Sequence, residues 1–326
     1  MQDRAARLRT GTAPASRPDP GADPRIRVTL PHLQGFQGPA RALRFLPRQP
    51  ARSVLNGRHA SRLRGRGLNF EELRDYLPSD DVRAIDWKVT ARTGHPHVRV
   101  FTEERDRPAL LVVDQRMSMF FGSRLNMKSV TAAEAAALAA FAILDQGDRI
   151  GGLVFGDAHL AEIRPKRSRA ALHQLLTALA DAQTLLAADA PAVDPMPLGT
   201  VLRATARIAP RNHLILLVSD FDGIDTEAER LVAGLARRND LILVPVTDPL
   251  AADIPAGLRL VVSDGSLQAE IDTADAGQQT ALAAFAKGRL ATMLDWQRRF
   301  GVPVLPLSAG EETLPQMRRL MGLGPR

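Results

Sequence analysis

The sequence predicts an α/β protein with a mostly parallel sheet covered by helices on both faces. Three observations predict it. The short runs Ala109–Val113, His213–Val218 and Leu241–Val246 are almost unbroken in apolar residues. That is how strands buried on both faces read. Helical patterns of ten or more residues separate these runs, and connections of that length join parallel neighbours. Carboxylates follow two of the runs: Asp114 directly after the first and Asp220 one residue beyond the second. Both fall at strand C-terminal ends, where open α/β sheets bind their ligands.

Bulk properties narrow the function classes. The chain of 326 residues contains no cysteine, so disulfides, thiolate nucleophiles and cysteine-held metals are excluded. No run approaches a membrane span of about 20 apolar residues. The opening MQDRAARLRTGTAPASRPDP lacks the apolar core of a secretory signal. The expected location is therefore cytoplasmic. The net charge of +7 is uneven: residues 1–70 hold 14 Arg against 3 Asp, and the remainder is net acidic. Residues 1–40 read as a disordered basic arm, rich in Pro, Ala, Arg and Gly. Such an arm can engage nucleic acid, yet no aromatic residue interleaves its first 30 positions, so nucleic acid is an unlikely partner. Two apolar patches, Ile26–Leu30 and Leu43–Leu46, read as a short strand and a helical turn.

Residues 41–108 form a charged segment expected to pack on the main domain. Phe70, Leu73 and Leu77 have helical spacing, which predicts a helix over Asn69–Leu77 with Asn69 as its N-cap. Ala84–Trp87 reads as a strand or turn and His97–Thr102 as a strand. Arg74, Asp80, Asp81, Arg83, Asp86 and Trp87 are close together in sequence. They serve either as an ion-pair network locking the segment or as a polar surface for a partner.

From residue 109 to 326 the alternation is regular. The expected order begins with a strand at Ala109–Val113 and an Ala-rich helix at Asn126–Gln146. A hairpin follows, Arg149–Phe155 with His159–Arg164, and then helices at Ser168–Asp181 and Thr200–Ile208. Next come a strand at His213–Val218, a helix at Thr226–Arg238 and a strand at Leu241–Val246. A small hairpin, Arg259–Val262 with Leu267–Ile271, precedes a long helix at Ala276–Phe300 and a last strand at Val302–Pro306.

Three polar positions should converge at the C-terminal edge of this sheet: Asp114/Arg116/Ser118, Thr200, and Asp220 with Asp222. Asp114, Ser118, Thr200 and Asp220 offer hard oxygen ligands, the set that suits Mg²⁺ or Mn²⁺. Arg116 stands among them, and a guanidinium has no lone pair to donate.

This pattern resembles the metal-ion-dependent adhesion site of von Willebrand factor A-type domains, Asp-x-Ser-x-Ser with a later Thr and Asp. The run from Gly65 to Arg92, GRGLNFEELRDYLPSDDVRAIDWKVTAR, resembles the signature of domain-of-unknown-function family fifty-eight (DUF58). That family couples the signature to an A-type domain, and the resemblance covers roughly residues 40–310. It implies a non-enzymatic protein-interaction module working with a MoxR-type AAA+ ATPase in a chaperone-like or complex-maturation role. Other A-domain proteins are further expected partners. Where the family pattern places Ser, this chain has Arg116, so the expected site is degenerate, with the guanidinium in the cation's place.

Two other functions fit parts of the sequence. Asp114, Asp220 and Asp222 around a metal would suit a phosphoesterase, with Arg116 holding phosphate. The basic arm would suit nucleic acid. No Walker-type glycine loop is present, and Gly151, Gly152 and Gly199 read as turn or close-packing glycines.

Overall fold

The structure is a computed structural model. It describes residues 7–8, 23–43, 68–78, 80–103, 108–187, 190, 193–251, 259–263, 268–272 and 276–322. The chain divides into two compact units, residues 46–106 and the remainder. Half of the expected basic arm lies outside the described residues, as does Phe45–Leu46 of the second apolar patch.

The larger unit begins with β1 (Arg7–Leu8), which runs antiparallel to Arg259–Ser263. Two short helices follow, α1 (Leu30–Gln34) and α2 (Gln37–Ala40). The expected strand at Ile26–Leu30 does not form, because Thr29 caps α1 through its hydroxyl and Pro31 sits in the first turn. Val28, Leu33, Ala40 and Leu43 are buried in the core, so residues 28–40 are ordered where a disordered arm was expected.

The smaller unit holds β2 (Leu68–Asp75), α3 (Trp87–Thr93) and β3 (His97–Glu103). β2 and β3 pair antiparallel from Leu68↔Glu103 to Asp75↔His97. The helix expected over Asn69–Leu77 is therefore replaced by a strand over Leu68–Asp75. The register shifts between Phe70 and Glu72, which marks a β-bulge. A bulge inserts one residue and breaks the two-residue alternation, so a bulged strand imitates helical spacing. Ala84 ends a short 3₁₀ turn at Val82–Ala84, Ile85 bridges to Val98, and Trp87 opens α3.

The main sheet contains β4 (Pro108–Asp114), β5 (Arg149–Phe155), β6 (Leu160–Lys166), β7 (Leu214–Ser219), β8 (Asp240–Thr247) and β11 (Leu307–Ser308). Its spatial order is β6-β5-β4-β7-β8-β11. Every pairing is parallel except β5 with β6. Numbered along the chain this is the order 3-2-1-4-5-6, the doubly wound arrangement whose switch point lies between the first and fourth strands. Here that point falls between β4 and β7. The last strand forms at Leu307–Ser308 rather than Val302–Pro306. Within the expected range only Val304 makes a bridge, to Leu243. A separate antiparallel sheet joins β1, β9 (Arg259–Ser263) and β10 (Gln268–Asp272).

β4 shows why both faces are covered. Its alternate residues point to opposite sides: Leu111 and Val113 enter one core, and Leu110 and Val112 enter the other. The first core holds α4 (Lys128–Asp145) and α5 (Arg169–Thr184), and the short helix α9 (Thr313–Leu320) adds Met317 to it. The second holds α6 (Leu198–Ile208), α7 (Thr226–Ala236) and the end of α8 (Ala276–Phe300), from which Met293 and Trp296 are buried. α4 is buried nearly all round, and its alanines let the sheet and other helices approach closely. Its one buried carboxylate, Glu134, meets His32 Nε2 at 2.8 Å and accepts from the Thr313 hydroxyl at 2.5 Å. No helix among the described residues is long and apolar enough to cross a membrane.

Candidate functional site at the strand ends

β4 ends in Asp114, which is completely buried, and the chain turns at once. The Arg116 guanidinium folds back onto it: Nε lies 3.1 Å from Oδ1 and Nη2 lies 2.8 Å from Oδ2. The Arg116 amide donates to the same Oδ1 at 2.9 Å, and the Ser219 hydroxyl donates to Oδ2 at 2.6 Å. These donors use the acceptor capacity of the carboxylate. Arg116 is 2% exposed, and its remaining donors reach the Met196 carbonyl at 3.2 Å and the Asp222 carbonyl at 3.1 Å. One side chain thus ties the turn after β4 to the segment before α6 and the loop after β7. Its guanidinium also lies 5.5 Å from the Phe155 ring centre, a cation–π distance.

Asp220 sits across the switch point and has its own cation. Lys128 Nζ lies 2.7 Å from Oδ2, while Oδ1 accepts the Asp222 amide at 3.0 Å and stands 3.9 Å from Arg116 Nη2. Arg289 of α8 reaches Asp222 Oδ1 at 3.1 Å. The loop that presents these groups is strained. Phe221 is fully buried and has φ 57°, a left-handed conformation costing a bulky residue roughly 1–3 kcal/mol. Its amide donates to Ser219 Oγ at 2.8 Å, so the same serine holds the strained turn and Asp114.

The charges are balanced pairwise. Burial alone would push Asp220 up, but the Lys128 charge and hydrogen bond, with Arg116 and Arg289, hold its carboxyl well below the usual range. Burial pushes Asp114 up against the opposing pull of Arg116. For Arg116 burial disfavours the charge, yet Asp114 and then Asp220 outweigh it and hold the guanidinium charged.

The structure brings together Asp114, Arg116, Asp220 and Asp222. Among the described residues no hydrogen bond joins the two hydroxyls to them. Thr200 Oγ1 accepts from Arg203 of its own helix at 3.2 Å. Ser118 lies in a 3₁₀ turn over Met117–Met119, so the extended alternation that would align it with Asp114 is absent. Its hydroxyl is buried and has no hydrogen-bond partner among the described residues. Both carboxylates are occupied by protein cations, Asp114 by Arg116 and Asp220 by Lys128. Among the described residues no cluster of three His, Asp or Glu is arranged to hold a metal.

Three members of the network were missing from the sequence reading: Lys128, Ser219 and Arg289. One signal pointed to Lys128, a cation in the first position of a long helix, where the macrodipole disfavours it. In the smaller unit, Arg74 forms a two-pronged pair with Asp80, both contacts at 2.7 Å, and Asp80 also caps the Leu77 amide. Asp81 and Asp86 cap the next two turns. Leu77, Val82 and Trp87 are at least half exposed beside them, and Arg83 is exposed as well.

The family described as "Protein of unknown function DUF58" matches residues 72–292. The chain is 30% identical over 303 residues to "Uncharacterized protein Rv1480" of Mycobacterium tuberculosis, covering 92% of this chain and 90% of that protein. The same values hold for "Uncharacterized protein Mb1516" of Mycobacterium bovis. Among solved structures, the conserved hypothetical protein BatB from Bacteroides thetaiotaomicron is similar at TM-score 0.40 and 11% identity, over 66% of this chain and 95% of that one. The SpRpn10 VWA domain is similar at TM-score 0.37 and 10% identity, over 68% and 98%.

Proposed function

As the chain belongs to the DUF58 family, we propose that it is a non-enzymatic protein-interaction module of the von Willebrand factor A type, working in the cytoplasm with a MoxR-type AAA+ ATPase in a chaperone-like or complex-maturation role. The observation that carries this reading is that both strand-end carboxylates are already paired inside the protein, Asp114 with Arg116 and Asp220 with Lys128. A general base must offer a lone pair to its substrate, and those of Asp114 are taken. The arrangement favours a fixed surface over a reaction centre.

In this reading the adhesion-type site is degenerate. Arg116 and Lys128 supply the two positive charges that a divalent ion would bring, and Asp114, Ser118, Thr200 and Asp220 do not hold Mg²⁺ or Mn²⁺. Recognition falls to the rim of the strand ends and to the smaller unit's exposed residues around Trp87. The test is co-elution of the tagged protein with purified MoxR-type ATPases of the same cell, in the ATP-bound state. A stable complex is expected. Failure to bind any of them with nucleotide present would overturn the partnership.

A further inference from the structure

At the opposite edge of the sheet, the loop from α6 to β7 and the loop from α7 to β8 enclose an open cleft of about 530 Å³. It is lined by Pro210, Arg211, Asn212, Arg237 and Arg238. Three guanidinium-bearing residues share one cleft, and among the described residues none has a carboxylate partner. Other arginines of this unit are paired: Arg203 with Glu227, Arg207 with Glu162 and Arg289 with Asp222. Cations at the C-terminal end of a helix are favoured by its dipole, which accounts for Arg237 and Arg238 beyond α7. Arg211 follows the C-terminal end of α6 in the same way, so the cleft gathers the cations of two helix ends.

The two loops are stapled together. Asn212 adopts φ 58° and donates its amide to the Arg238 carbonyl at 2.8 Å. Buried Asn239 accepts the His213 amide at 3.0 Å and donates to the carbonyls of Ala209 at 3.1 Å and Leu235 at 3.3 Å. The backbone bearing the arginines is therefore fixed before any ligand arrives, which lowers the ordering cost of binding.

We propose that this cleft binds a phosphate-bearing small molecule. The volume lies within the small-ligand range. Planar guanidinium forks match phosphate oxygens two at a time, and several unpaired forks on one cleft fit a di- or polyphosphate better than a single carboxylate. The site lies at the edge remote from Asp114 and is independent of the function proposed above.

The test is calorimetry of the full chain with pyrophosphate at about 0.15 M salt, near physiological ionic strength, with citrate as the carboxylate arm. A dissociation constant below about 1 mM is expected. It should rise at least about tenfold in Arg211→Ser/Arg238→Ser, since a hydrogen bond to a charged group is worth that much. Both residues are exposed, and an unchanged melting temperature would show that the double variant folds. The basic N-terminal stretch is the same in both proteins, so anion binding there does not alter the difference. Absence of binding, equal affinity in the double variant, or citrate binding as tightly as pyrophosphate would each overturn the proposal.

Discussion

Lys128 Nζ lies 2.7 Å from Asp220 Oδ2, and Lys128 is the first residue of α4. Its placement opposes the helix dipole by roughly 0.3–1 kcal/mol. The gain must come from the carboxylate, which is 8% exposed and would otherwise be an uncompensated buried charge. Removing one partner of such a pair typically costs about 3–5 kcal/mol.

The larger effect decides the sign. Lys128→Met should destabilise the protein by about 3 kcal/mol after the small dipole relief is subtracted. Urea unfolding at neutral pH measures it. The double variant with Asp220→Asn should lose less than the two single losses added together, because the pair is then removed as a unit. A neutral Lys128→Met would show that Asp220 is balanced elsewhere.

The acid limb of stability should also report on Asp220. Its folded-state pKa is lowered below the unfolded value of about 3.9. Its contribution is therefore full above that value and is lost as pH falls through it toward the lower folded value. Unfolding free energies between pH 3 and 7 should fall more steeply below about pH 4 in the wild type than in Asp220→Asn. Parallel curves would contradict the lowered value.

Arg116 gives a gain-of-binding experiment. Mg²⁺ or Mn²⁺ at millimolar concentration should leave the wild-type melting temperature unchanged. Arg116→Ser removes the guanidinium from Asp114 and frees both of its oxygens from that fork. This variant should be less stable without metal, by about 3 kcal/mol. It should also recover part of that loss when metal is added, through mass action. Metal stabilisation of the wild type, abolished by Asp114→Ala, would refute the built-in cation.

How far the sequence carried is visible at these same residues. The mostly parallel, two-sided sheet was legible because β4, β7 and β8 are short apolar runs, a signal that depends only on local composition. Asp114 and Asp220 were legible because they end such runs. Lys128 and Arg289 were not, since each joins the site from a helix 92 or 69 residues away in sequence from Asp220. Ser118 and Thr200 carried no local signal of their own: Ser118 lies in a 3₁₀ turn rather than in extended chain, and the Thr200 hydroxyl bonds Arg203 within α6. β2 was misread because a bulge disguises alternation, and only pairing with β3 reveals it.

Gly151 and Gly152 separate a packing role from a phosphate-loop role. A Cβ on Gly151 would meet the Ile163 carbonyl oxygen at 2.5 Å and the Pro165 nitrogen at 2.6 Å, both backbone atoms of the paired strand β6. A Cβ on Gly152 would meet Leu175 Cδ1 at 2.3 Å, the tip of a side chain that can rotate. Gly151→Ala should therefore be the costlier change, beyond the roughly 1–3 kcal/mol usual for overpacking, and Gly152→Ala should fall within that range. Thermal melts of the two variants decide the order, and a milder Gly151→Ala would mean that β6 moves freely.

Trp87 should separate binding from folding. It is 63% exposed at the start of α3, so its truncation removes little packing. Trp87→Ala should change stability by no more than about 0.5 kcal/mol. Exposed tryptophans are frequent anchors of protein interfaces, and their loss typically costs 2 kcal/mol or more of binding, about thirtyfold. Asp86→Ala is the control with the opposite profile. Asp86 is buried and caps α3 by accepting the Lys88 and Val89 amides at 3.0 and 3.3 Å. Its loss should cost about 1 kcal/mol of stability. Affinity for the ATPase, measured by surface plasmon resonance, should therefore fall sharply for Trp87→Ala at unchanged stability. Equal affinities for wild type and Trp87→Ala would move the contact surface away from the smaller unit and onto the strand-end rim around Asp222 and Arg289.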